Sequence, residues 1–209
     1  MPENLIAYAD EIRKRLGYIG VSEIIADTRN IVIDPYSVLI SKHVQIGTGN
    51  VFYPGVRIDA EPGSTRIGNN NLFFEASRID ATRGGRLVIG DDNAIGPHAV
   101  ALLVNRAGAV TTIGNRTRLL GRVDIIGTCV LEDGSQIIGD ISAMNILLSG
   151  GDDHGGPDPD LRGAVLKGRG RASSITLSRG KVINGDGDFA LAPVEDQSVY
   201  HPRASGSDA

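Results

Sequence analysis

From Ile46 to Ala143 an aliphatic or aromatic side chain returns every sixth residue, with three interruptions. The series runs Ile46, Phe52, Ile58, then Ile67, Phe73, Ile79, then Ile89, Ile95, Ala101. It closes with the uninterrupted run Ile113, Leu119, Ile125, Leu131, Ile137, Ala143. A helix repeats its faces about every 3.6 residues and a strand about every 2, so neither yields a period of six. A coil with three flat sides, one six-residue step per side, does. Indexed this way the chain has three columns. Ile46, Ile67, Ile89, Ile113 and Leu131 form the first, and Phe52, Phe73, Ile95, Leu119 and Ile137 the second. Ile58, Ile79, Ala101, Ile125 and Ala143 form the third. Like then stacks on like along one axis, as parallel strands in register require.

Composition agrees with a narrow coil. Hydrophobic residues make up 41% of the 209, yet aromatics only 4%, with no Trp and 28 glycines. An interior of Ile, Val and Leu needs few large rings, and tight corners need positive φ. The net charge of −4 argues against a nucleic-acid binder, which would carry a basic face. Cys129 is the single cysteine, so no internal disulfide can form, and its place in its hexad marks it as a small interior residue. The opening MPENLIAYAD lacks the apolar core of a signal peptide, and no apolar run reaches membrane-spanning length. These features predict a cytoplasmic protein with no nucleic-acid or membrane partner.

The motifs IGTGNV, IGNNNL, IGDDNA, IGPHAV and IGNRTR resemble the hexapeptide repeat of the left-handed parallel β-helix family. The resemblance covers about half the chain. It implies a mainly β fold: a left-handed parallel β-helix of about five to six coils with an N-terminal helical cap and a non-repeating C-terminal tail. The predicted divisions are a cap over 1–30, a β-helix over 31–148, and a loop and tail over 149–209 that pack on the coil or on a neighbouring subunit. Within the cap, Leu5, Ile6, Tyr8, Ala9, Ile12 and Leu16 share a helical face, and Gly17 and Gly20 are its stop signals. The last residues, from Arg203, are expected to fray.

Two further ladders follow from the columns. Asn50, Asn71, Asn93, Thr117 and Ser135 recur at one corner, where stacked amides bond each other and free backbone groups. RIDA occurs twice, placing Arg57 beside Arg78 and Asp59 beside Asp80, which reads as a solvated ion-pair ladder. The interruptions AEPGSTR, ATRGGRLV and NRAGAVTT all leave after the third column, so they stack along one edge, where solenoids build binding surfaces.

The resemblance also implies a chemistry. Family members of known activity are mostly acyltransferases that form trimers, with acyl-CoA between neighbouring coils and a His acting as general base on an amine or hydroxyl. The base must reach the nucleophile and titrate near neutrality. Of four histidines, His98 in IGPHAV lies within a coil hexad, and His154 in DDHGG has Asp152 and Asp153 at hand to orient it. These two are the candidate catalytic residues; His43 and His201 rank behind them. Lys167, Arg169 and Arg171 are the candidate cofactor-binding cluster, placed to meet the phosphates of CoA. No metal is expected, because only one His falls inside the coil and a zinc site of this family needs three. The expected activity is transfer of an acyl group from acyl-CoA, as co-substrate, to a small amine or hydroxyl acceptor by a homotrimer. The alternative is a non-catalytic scaffold. IGNNNLFFEASRIDA followed by IGDDNAIGPHAV is similar to the small hexapeptide subunits of dynactin, with Asn70, Asn71, Phe73 and Glu75 matching.

Overall fold

The structure is a computed structural model that describes residues 4–201. Short strands alternate with turns along the whole coil and pair in parallel between successive turns, forming a left-handed parallel β-helix. The first column is in register as read: Ile46 pairs with Ile67, Ile67 with Ile89, Ile89 with Ile113, and Ile113 with Leu131. The second is too, and the Phe52 and Phe73 rings stack at 5.0 Å with planes 6° apart in the coil interior.

The third column corrects one assignment. Leu102, not Ala101, pairs with Ile79 and Ile125, and Leu102 is fully buried. IGPHAV therefore spends one residue more than a hexad. The surplus is taken up where Gly96–Pro97 is cis and His98 and Ala99 both adopt positive φ. A hexad count cannot see a bulge of one residue, because a neighbouring aliphatic still falls on the sixth place.

The coil also runs further than five to six turns. Among the described residues the second column continues from Val32 through Phe52, Phe73, Ile95, Leu119, Ile137 and Leu166 to Ile183, eight rungs in all. The segment after Ser149 is thus not a non-repeating tail throughout: Val165–Ser173 and Lys181–Asp188 are coil strands in register with Gln136–Met144. Three irregularities hide its phase. The corners between Ala143 and Leu148 and between Ala172 and Leu177 are each one residue short, and a long loop separates Leu148 from Leu166. This loop leaves after the first column, at a different corner from the three earlier excursions. Among the described strands, Val194–Asp196 alone departs from the parallel pairing, running antiparallel to Lys181–Asp188 and covering part of its edge. The fraying expected from Arg203 lies outside the described residues.

At the other end, helices span Leu5–Arg15 and Val21–Ala26. Asn4 caps the first, its side chain accepting from the N–H of Ile6 and Ala7, and Gly17 at φ +85 follows its end. The expected apolar face is not what this helix buries: Leu5 and Leu16 are 65% and 68% exposed. Its buried residue is Arg13, whose Nη2 donates to the carbonyl of Tyr36 at 2.7 Å. Apolar cover comes from the second helix, through buried Val21 and Ile24.

The Asn corner forms the ladder the columns predicted, and extends to Asn30. Asn50 Nδ2 donates to Asn30 Oδ1 at 3.0 Å, Asn71 Nδ2 to Asn50 Oδ1 at 2.9 Å, and Asn93 Nδ2 to Asn71 Oδ1 at 2.9 Å. A second ladder, absent from the sequence reading, links backbone N–H groups to side-chain oxygens of Asn69, Asp91, Asn115 and Asp133 at the adjacent corner residue. RIDA pairs in register as read, but its ion pairs lie within each strand, Arg57–Asp59 and Arg78–Asp80. Asp80 is buried rather than solvated, bonded to Thr82 and Asn105.

Candidate functional site

A cleft of about 320 Å³ opens on the outer face of the later coils. Its floor comes from strand residues of one outward ladder. Arg118 pairs with Gln136, Gln136 with Val165, and Val165 with Val182, with Ile138 and Lys167 two residues further along. In an extended strand alternate side chains share a face, so these all point outward while Leu119, Ile137 and Leu166 fill the core.

The long loop supplies one wall, with His154 and Arg162. It closes on itself: Asp152 N donates to Leu161 O and Gly163 N to Asp152 O, both at 2.9 Å. Arg162 Nε donates to Gly156 O at 2.7 Å. Asp153, expected to orient His154, instead accepts from Gly155 N at 2.8 Å and shapes its own turn. The tail supplies the other wall. Buried Gln197 donates through Nε2 to Gly163 O at 2.7 Å, and Ser198 N donates to Asp160 Oδ1 at 3.1 Å, fastening tail to loop. Tyr200 and His201 then overhang Lys167, whose Nζ lies 5.9 Å from the Tyr200 ring centroid. The Tyr200 hydroxyl donates to the Glu195 carboxylate, which raises its pKa because ionising it would set two negative charges side by side.

The cleft brings together His154 and Lys167 but not the other candidates. Arg169 points outward two residues beyond Lys167, held in a two-pronged pair with Asp186 at 2.9 Å per contact. That pair raises the Arg169 pKa and lowers that of Asp186. Arg171 stands in register with Asp188. The basic cluster is thus spread along a strand, with one of its three cations lining the cleft. His98 is exposed in its bulge and lines no part of this cleft. His43 lines a separate cleft of about 330 Å³ beneath the end of the first helix, where Tyr18 Oη donates to Asp59 at 2.5 Å. Among the described residues no carboxylate accepts from any of the four imidazoles, and no three His, Cys, Asp or Glu side chains are grouped to hold a metal ion. No helix among them is long and apolar enough to cross a membrane. Cys129 is fully buried, and burial pushes its thiol pKa up.

Arg118, Gln136, Arg162 and Tyr200 were not singled out from the sequence. The columns carried a signal for two of them: Arg118 and Gln136 each precede a second-column residue, Leu119 and Ile137, and so fall on one ladder. Nothing local brings the loop and tail beside that ladder.

No family model matches the chain. Over 98 residues, 46% of this chain, it is 30% identical to acyl-(acyl-carrier-protein)–UDP-N-acetylglucosamine O-acyltransferase from Synechocystis sp.; the match spans 30% of that protein's length. Among solved structures, LpxA from Acinetobacter baumannii superposes with a TM-score of 0.45 at 19% identity, covering 86% of this chain and 77% of that one. Perosamine N-acetyltransferase from Caulobacter crescentus, in a complex with CoA and GDP-perosamine, gives a TM-score of 0.24 at 15% identity, covering 90% and 65%. The chain is a parallel β-helix whose core is set by a six-residue repeat, and it is similar in sequence over nearly half its length to an acyltransferase.

Proposed function

We propose that the chain transfers an acyl group from a thioester donor, acyl-CoA, to the hydroxyl or amine of a small acceptor, working as a homotrimer. The observation that carries this reading is the convergence of His154, Lys167, Arg118, Arg162 and His201 on one cleft, a general base beside cations suited to an anionic donor. The sequence similarity to an O-acyltransferase supports the reaction class. His154 takes the proton from the acceptor as its oxygen or nitrogen attacks the thioester carbonyl. The carbonyl oxygen becomes an oxyanion held by backbone N–H groups, the C–S bond breaks, and the thiolate leaves with the proton from the imidazole. Lys167 holds a phosphate of the donor. His154 is preferred to His98 as base because it faces a cleft in which a donor and an acceptor can meet.

The test is acyl transfer from acetyl-CoA to a panel of amino and hydroxy sugars, with free thiol as readout. His154→Ala lowers kcat/KM by about a hundredfold or more, the ordinary worth of a general base, while His98→Ala retains the parent rate. Parent activity in His154→Ala would remove that residue as the base. A native mass of three 22.0 kDa chains supports the trimer, and a monomer would overturn that part. One observation favours a non-catalytic scaffold instead: among the described residues the imidazoles have no carboxylate behind them. For that reading, neither acetyl-CoA nor CoA at millimolar concentration raises the melting temperature.

A further inference from the structure

Gln136 is an unusual lining residue. It is only 5% exposed, yet it borders the cleft. Arg118 Nη1 donates to its Oε1 at 3.4 Å, and since a guanidinium has no acceptor, the amide oxygen must face Arg118. The amide nitrogen then faces the other way, and no acceptor meets it among the described residues. The side chain is thus held in place while its amide nitrogen stays open to the cleft, free to donate to an acceptor that enters. The lining around it includes Arg118, Arg162 and Lys167 and no Asp or Glu, and none of the three is in an ion pair among the described residues. Beyond the glycine corner, by contrast, Arg122 and Arg169 are each paired with a carboxylate, Asp140 and Asp186. The chain as a whole is acidic, so three cations without an ion pair among the described residues, sharing one cleft, reflect this site and not the general surface.

We infer that Arg118 and Gln136, with Arg162 across the cleft, form a phosphate-binding subsite. Gln136 Nε2 and the guanidinium forks donate to the terminal oxygens of a phosphate or diphosphate on the substrate. A carboxamide discriminates as well as binds, since in this orientation it only donates and rejects a cationic group. The inference rests on the cleft being the ligand site, as in the proposed function, but not on which reaction occurs there. The phosphate arrives either on the acyl donor or on a phosphorylated acceptor.

The test is calorimetric titration of the full chain at low salt with inorganic pyrophosphate as the probe. Gln136→Glu keeps the shape and gains a charge pair with Arg118, so the fold is retained, while the anion now meets a carboxylate. Arg118→Gln removes the guanidinium. Each weakens pyrophosphate binding by about tenfold or more, the worth of a hydrogen bond to a charged group. Unligated melting curves separate this loss from unfolding. Titrations with CoA and with a hexosamine phosphate assign the source, because the variants weaken whichever ligand carries the phosphate. Pyrophosphate that fails to bind the parent chain, or binds both folded variants equally well, overturns the subsite. Pyrophosphate binding without acyl transfer keeps it and overturns the proposed reaction alone.

Discussion

Gly139→Ala destabilises the protein by more than about 4 kcal/mol, or abolishes soluble expression. The strands Arg118–Ile126, Gln136–Met144 and Val165–Ser173 each run nine residues through a corner without a break. They turn at stacked glycines, Gly121 on Gly139 on Gly168. Gly139 sits at φ +133, a region that side chains avoid, and a Cβ there would lie 1.8 Å from the carbonyl oxygen of Gly168. That oxygen belongs to the backbone of the next rung, so relief requires prising the rungs apart by about 1 Å or more, and the parallel ladder on either side resists. Gly63→Ala is the control. Gly63 also has positive φ, +70, but nothing lies within 4 Å of its would-be Cβ, so the cost is only the left-handed backbone, about 1–2 kcal/mol. Denaturant unfolding of the two variants separates steric contact from backbone preference. A difference below about 1 kcal/mol between them would show that the rungs part easily, and the glycine stack would lose its explanation.

The same glycines explain why part of the fold was legible in the sequence and part was not. A period of six with Ile, Leu and Phe at its nodes fixes the coil, because burying one residue per side is the geometric condition for a three-sided prism to have a core. The polar corner followed for the same reason, since Asn50, Asn71 and Asn93 keep one offset from their column. Legibility failed where the chain changes its step. One extra residue at His98 moved the third column from Ala101 to Leu102, and one missing residue before Leu148 with a long loop after it hid two further turns. The cleft was harder still. Lys167 and His154 were visible singly, but their meeting depends on Gln197 reaching Gly163 and on the register that sets Arg118 beside Gln136. Those contacts join residues far apart in sequence, and composition at either end says nothing of them.

Asn71→Ala is expected to cost about 3–5 kcal/mol, far more than its size suggests. Asn71 is fully buried at the corner. Its Nδ2 donates to Asn50 Oδ1 and to Gly90 O, each at 2.9 Å, and its Oδ1 accepts from Asn93 N at 3.0 Å and Asn93 Nδ2 at 2.9 Å. Alanine removes all four bonds, strands the buried Asn93 N–H and leaves the partly buried Gly90 carbonyl without its amide donor. Thr117→Ala, two rungs on, provides the comparison. The Thr117 hydroxyl is buried without a partner, and its place in the ladder is held by its backbone N–H, which donates to Asn93 Oδ1 at 2.7 Å. Removing a hydroxyl that bonds nothing costs less than about 1 kcal/mol. Thermal or denaturant unfolding of both variants decides the matter, and equal losses would mean that packing, not amide bonding, holds this corner. The result bears on the cleft as well. Thr117 and Ser135 are the residues just before Arg118 and Gln136, so the ladder's last rungs set where the cleft floor begins. Should Asn71→Ala loosen the corner as expected, pyrophosphate binding weakens along with stability, whereas Thr117→Ala leaves both in place.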